Sequence, residues 1–68
     1  MSLYDWRYAI AQVHADAPFG GLIMAAVLRA DSDNFERLRA VFPELHAEAG
    51  ERYHAPGGLL PGEVSDHG

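Results

Sequence analysis

Histidines and glutamates near the end of the chain are the residue types that could support metal chemistry. His46 and His54 stand eight positions apart, with Glu48 and Glu51 between them, and imidazole with carboxylate is a common ligand set for zinc and iron. On one helix the two imidazoles would lie two turns apart, whereas a metal-binding helix places its ligands at i and i+4. We therefore predict no metal site and no cofactor, and interpret both histidines as exposed residues of a marginal helix.

Candidate nucleophiles are scarce. The chain has no Cys and no Thr, and its three Ser stand at positions 2, 32 and 65. Ser2 and Ser32 have the positions of helix caps, and Ser65 lies in the C-terminal segment. The sequence has no nucleophile elbow, and Gly57-Gly58 precedes an irregular segment where a phosphate-binding loop would precede a helix. Without Cys, disulfides, zinc fingers and iron–sulfur sites are excluded as well. These observations predict a protein that is not an enzyme.

Three residues could contact a nucleic acid: Asn34, Arg37 and Arg39. An apolar helix, a short polar turn and a second helix that carries these side chains have the layout of a helix-turn-helix. Four carboxylates on the same turn and helix would repel phosphates, namely Asp31, Asp33, Glu36 and Glu44. The net charge of -5 also disfavours a nucleic acid as the main partner. A DNA-binding regulator is therefore the alternative function, and nucleic-acid binding is not our main expectation.

Gly and Pro divide the chain into the elements that must position these residues. They cluster at residues 18–21, at Pro43 and at residues 56–62. Between these breaks, the sequence predicts a helix from Leu3 to Ala15, a second after Pro18, a third after the capping residues 31–34, and a fourth from Glu44 to Tyr53. The fold class is therefore all-α, a small three- to four-helix bundle with an irregular Pro/Gly-rich C-terminal tail. Residues 1–55 would form the helical domain and residues 56–68 the tail.

Apolar spacing predicts which helix faces are buried. The first helix carries a stripe that we expect in the core, formed by Leu3, Trp6, Ile10, Val13 and Ala17. The second helix is apolar almost all the way round, which is typical of a helix at the centre of a bundle. The third would bury Phe35, Leu38, Val41 and Phe42. The fourth carries only the narrow stripe of Leu45, Ala49 and Tyr53, so we expect it at the edge.

Tyr4 and Tyr8 form a second stripe on the first helix, nearly opposite the core stripe. Tyr is enriched at protein interfaces because it buries a large area at a small entropic cost. A 68-residue chain also buries too little surface to be comfortably stable alone. We therefore predict partner binding or self-association through Tyr4 and Tyr8. The alternative is that both rings pack on the chain's own fourth helix or tail.

Leu59 and Leu60 are the two leucines of the Gly/Pro-rich tail. They either fold back over the core or act as a short docking motif, and we favour the first interpretation while keeping both as candidate partner-binding residues. The last four residues, 65–68, are expected to fray.

Targeting signals are not apparent in the sequence. The N-terminus lacks the basic and apolar regions of a secretory signal. The longest stretch without a charged or strongly polar residue runs from Ala17 to Leu28, which is too short to span a bilayer. The sequence therefore predicts a cytoplasmic protein without a membrane partner.

Several segments together resemble a group of short, uncharacterised open reading frames of actinobacteria and their phages and prophages. The resemblance covers about Tyr4 to Glu63 and is carried by Tyr4-Asp5-Trp6, Leu22-Ile23-Met24-Ala25-Ala26, Ala30-Asp31-Ser32-Asp33-Asn34, Val41-Phe42-Pro43 and Arg52-Tyr53-His54-Ala55-Pro56-Gly57-Gly58. An Ala-rich composition with Arg as its one strongly basic residue type agrees with a high-GC source. The resemblance implies no assigned activity and no catalytic motif. It implies an accessory or host-interaction protein of a mobile element.

Overall fold

Four α-helices make up the computed structural model, which describes residues 2–64. They are α1 (Leu3–His14), α2 (Phe19–Arg29), α3 (Ser32–Val41) and α4 (Pro43–His54), followed by a 3₁₀ turn over Pro56–Gly58. The predicted all-α class is confirmed, and the described residues include no β-strand. The expected fraying of residues 65–68 and the role of Ser65 lie outside the described residues.

Helix starts follow from local capping chemistry. Ser2 caps α1 in a capping box, in which its hydroxyl accepts from the Asp5 N–H and the Asp5 carboxylate accepts from the Ser2 N–H. Pro43 occupies the first turn of α4, where its missing N–H costs nothing. In α3 the cap is Asp31, which accepts from the Asn34 N–H at 2.9 Å. Ser32, predicted as a cap, is instead the first residue of α3, because the carboxylate of Asp31 takes the capping position.

α4 lies at the centre of the fold, so its predicted place at the edge is wrong. α2, α3 and the 3₁₀ turn all pack against it. Val27 of α2 and Ala49 of α4 are each 2 % exposed and are the buried residues of the described core. A Cβ atom built on Gly20 would lie 3.5 Å from Leu45 Cδ2, which shows how closely the two helices approach. Because the residues at this contact are small, α2 and α4 pack closely, and the narrow apolar stripe of α4 is enough to hold that helix at the centre.

α1 does not join this core, so the predicted burial of its first stripe is wrong. Trp6 is 60 % exposed and Val13 is 65 % exposed, Leu3 is also exposed, and Ile10 and Ala17 are half-buried. The reason is that α4 takes up the face of α2 that carries Val27, and α1 lies outside that packed unit.

α3 buries less than its sequence pattern predicts. Leu38 and Phe42 are half-buried. Val41 is 68 % exposed and Phe35 is 38 % exposed, although the pattern predicts that both are buried. The Phe42 ring meets Phe19 edge-on at a centroid distance of 5.8 Å, which links the ends of α2 and α3. Among the helices of residues 2–64, none has the length and apolar character needed to cross a lipid bilayer.

Candidate partner-binding helix

α1 stands apart from the other helices. Among the described residues, no Cα atom of α1 lies within 8 Å of a Cα atom in another helix. The whole chain measures 40 × 28 × 16 Å and has a radius of gyration of 13.8 Å, whereas a compact domain of this length has a radius of about 11 Å. The first helix is therefore a projecting arm on a three-helix body.

Both apolar stripes of α1 are largely exposed. Tyr4 is 80 % exposed and Tyr8 is 64 % exposed. These exposures do not fit rings packed on α4, and no Cα atom of α1 lies within 8 Å of a Cα atom of α4 or of the 3₁₀ turn. Trp6 and Val13 on the other stripe are similarly exposed. Clusters of exposed apolar side chains on a soluble protein commonly mark interaction sites.

An open groove separates α1 from α2. It has a volume of about 730 Å³. One wall is formed by Tyr4, Asp5 and Tyr8, and the other by Leu22, Ala25, Ala26 and Arg29. The groove is thus mainly apolar and aromatic, with one carboxylate and one guanidinium. Such a surface suits an amphipathic helix that brings its own apolar stripe.

A Schellman motif sets the position of this arm. The Ala17 N–H donates to the Gln12 carbonyl at 3.1 Å, and the Asp16 N–H donates to the Val13 carbonyl at 3.1 Å. Asp16 has a φ of 58°, in the left-handed region that usually favours Gly. The end of α1 is therefore fixed by backbone hydrogen bonds even though its sides are uncovered.

The segment after α4 is held in place by Arg52. Its Nη1 donates to the Gly58 carbonyl and to Glu63 Oε1, both at 2.7 Å, and its Nη2 donates to Glu63 Oε2 at 2.8 Å. Its Nε donates to Glu48 Oε2 at 2.7 Å. The bonds from Arg52 and from the Leu60 N–H lower the pKa of Glu63 to about 2. The hydrogen bond to Glu63, and to a smaller extent the one to Glu48, raises the pKa of Arg52 above its usual value.

Leu59 and Leu60 lie on this restrained segment. Leu60 is half-buried and its N–H donates to Glu63 Oε1 at 2.9 Å, whereas Leu59 remains partly exposed. Gly57 and Gly58 adopt positive φ values, so residues 56–58 form a tight turn whose backbone angles are not helical throughout. Arg52 therefore ties this segment back to α4, and both leucines stay candidate partner-binding residues. No Cα atom of α1 lies within 8 Å of a Cα atom in the 3₁₀ turn that precedes Leu59 and Leu60.

The residues of the DNA-binding alternative lie together on exposed positions of α3. Arg37 Nη1 donates to Asn34 Oδ1 at 3.4 Å, and Arg39 forms an ion pair with Glu36. Asn34 and Arg37 also line a second groove of about 400 Å³ between α2 and α3. Both guanidinium groups are thus already engaged by side chains of their own helix.

The two histidines considered for metal binding have different surroundings. His46 is half-buried, which corrects its predicted exposure, and its ring lies 4.2 Å from the Phe35 ring, centroid to centroid. His54 is exposed at the end of α4, edge-on to Tyr53 at 5.3 Å. Within residues 2–64, no three His, Asp or Glu side chains come close enough together to hold a metal ion.

Comparison with known proteins returns no relative. No protein-family model, no curated protein sequence and no solved structure matches this chain.

Proposed function

We propose that the chain is a small protein-interaction module that binds a protein partner through α1. The observation that carries this proposal is the exposure of both apolar stripes on a helix that no other helix covers. Exposed Tyr side chains beside an apolar groove are the composition that protein interfaces favour. An accessory or host-interaction role, the context that the sequence resemblance implies, belongs to this proposal. The proposal also states that the chain acts by binding and catalyses no reaction.

Helix formation gives a second physical argument. An isolated helix of about 12 residues is marginal in water, because few hydrogen bonds offset the cost of nucleation. The capping box and the Schellman motif secure the two ends of α1, but tertiary packing normally supplies most of a helix's stability. A partner that covers α1 would supply that packing.

DNA binding is the alternative, and the structure gives it less support. The pairing of Arg39 with Glu36 and of Arg37 with Asn34 would have to be exchanged for contacts with phosphates or bases. The negative net charge of -5 opposes that exchange. The two functions differ in their response to salt, which weakens DNA binding steeply and affects an aromatic interface little.

Site-specific photocrosslinking tests the proposed function. A photoreactive phenylalanine analogue replaces Tyr4 in the full chain, and the same analogue replaces Tyr53, which is 70 % exposed on α4, as the matched control. In cells that express the chain, we expect a discrete covalent protein adduct from position 4 and none from position 53. Equal labelling at the two positions, or no adduct at position 4, would contradict binding through α1.

A further inference from the structure

The surface area of the chain exceeds what a monomer of its size exposes. A folded monomer of 7.4 kDa exposes about 4,200 Å², whereas this chain exposes 5735 Å². Part of this surplus lies on α1, where five large apolar side chains are each at least 60 % exposed, namely Leu3, Tyr4, Trp6, Tyr8 and Val13. An interface of standard size takes roughly 800 Å² from each partner. The chain therefore has enough uncovered surface for a stable interface with another molecule.

The arrangement of the two stripes restricts what that molecule can be. Tyr4 and Tyr8 face the groove, and the stripe of Leu3, Trp6 and Val13 is nearly opposite on the same helix. A helix with two opposite apolar faces is suited to lie between two other helices. The groove offers a place between two helices, so α1 is the kind of segment that the groove accepts.

The charged groups of the groove also fit α1 of a second copy as its occupant. The groove carries one carboxylate, Asp5 on α1, and one guanidinium, Arg29 near the end of α2. Neither forms an ion pair within the described chain. Under two-fold symmetry an interface patch meets itself, so an acidic group on one element and a basic group on the other can pair twice.

We infer that the partner is a second copy of this chain, an inference that rests on the proposed function. The α1 helix of each copy lies in the groove of the other, so that the Tyr4 and Tyr8 stripes of the two copies meet at the centre. The opposite stripe, with Trp6, packs on the partner's α2. Asp5 of each copy lies beside Arg29 of the other. The resulting dimer covers both apolar faces of α1 at once.

Sedimentation equilibrium of the full chain at increasing concentration tests this inference. We expect the mass of a dimer at high concentration. Replacement of both Tyr4 and Tyr8 by Ala should raise the dimer dissociation constant about 30-fold or more, the effect of losing interface hot spots. Tyr53→Ala, the matched control outside the groove, should change it by less than about twofold.

A second variant, with a changed charge, keeps the inference testable if the tyrosine variant misfolds. Arg29→Glu changes an exposed side chain and should weaken the dimer about tenfold through repulsion from Asp5, while circular dichroism shows unchanged helicity. A monomer at every concentration, or a dimer that neither the tyrosine variant nor Arg29→Glu weakens, would overturn the inference. A monomer that still gives an adduct at position 4 with another protein would overturn only the second-copy partner. A chain without any adduct at that position would contradict the proposed function itself.

Discussion

Arg52 and Glu63 face each other with two parallel hydrogen bonds, Nη1 to Oε1 at 2.7 Å and Nη2 to Oε2 at 2.8 Å. This bidentate pair joins α4 to the segment that follows the 3₁₀ turn, across eleven positions of sequence. Glu48 and the Gly58 carbonyl accept further hydrogen bonds from the same guanidinium. One side chain therefore fixes the path of the chain after α4 and holds Gly58 and Glu63 close to that helix.

Acid should release this segment. The pKa of Glu63 falls from 4.5 to about 2 on folding, so its contribution to stability is complete above about pH 4.5 and is lost as the pH falls through about 2. Glu63→Gln removes the titrating group. We expect the difference in unfolding free energy between the native chain and Glu63→Gln to shrink over that pH range in denaturant titrations. A difference that stays constant down to pH 2 would show that the ion pair does not stabilise the fold.

Truncation of a buried valine should destabilise the fold, whereas truncation of an exposed valine should have little effect. Val27→Ala removes atoms from the α2–α4 contact and should destabilise the chain by about 2 kcal/mol. Val41→Ala is the matched control, because Val41 is exposed on α3, and it should change stability by less than about 0.5 kcal/mol. Urea unfolding followed by circular dichroism measures both. Equal effects would contradict the burial assigned to Val27.

Capping of α3 distinguishes two aspartates that look alike in the sequence. Asp31 accepts from the Asn34 N–H, so Asp31→Ala should cost about 1 kcal/mol. Asp33 lies within the first turn and interacts only with the helix dipole, so Asp33→Ala should cost no more than about 0.5 kcal/mol. Thermal unfolding of the two variants gives the comparison. A larger loss for Asp33→Ala than for Asp31→Ala would contradict Asp31 as the cap.

The left-handed residue at the end of α1 predicts a stabilising substitution. Asp16→Gly should raise the stability by about 0.5–1 kcal/mol, because Gly adopts a positive φ without steric cost. Asp33→Gly is the control, since Asp33 is helical and Gly there should destabilise α3 by roughly the same amount. Opposite signs in chemical denaturation are the expected result. A loss of stability on Asp16→Gly would mean that the aspartate side chain itself holds the turn.

Local rules made much of the fold predictable. Ser2 and Asp5 form the capping box that their spacing indicates, and Pro43 separates α3 from α4 as expected. Predicted helix ends lie close to the observed ones because caps and helix breakers act on neighbouring residues. These features depend on a few adjacent positions, which is why the sequence reveals them.

The placement of whole helices was not predictable in the same way. An apolar stripe has the same spacing whether the chain buries it or leaves it for a partner, so Trp6 and Val13 resemble core residues. Ala49 carries little apolar surface, yet it is buried because small residues allow α2 and α4 to approach closely. The pairing of Arg52 with Glu63 depends on the path of the 3₁₀ turn, and the two residues have no local pattern that joins them.

Trp6 offers the most direct test of the account, because it is the one Trp of the chain and it lies on α1. Its side chain is 60 % exposed in a single copy and would lie against the partner's α2 in the proposed dimer. Acrylamide quenching of its fluorescence should therefore decrease as the protein concentration rises through the dimerisation range, together with a shift of the emission to shorter wavelength. Quenching that stays at the level of an exposed indole at every concentration would contradict the burial of α1 by a second copy.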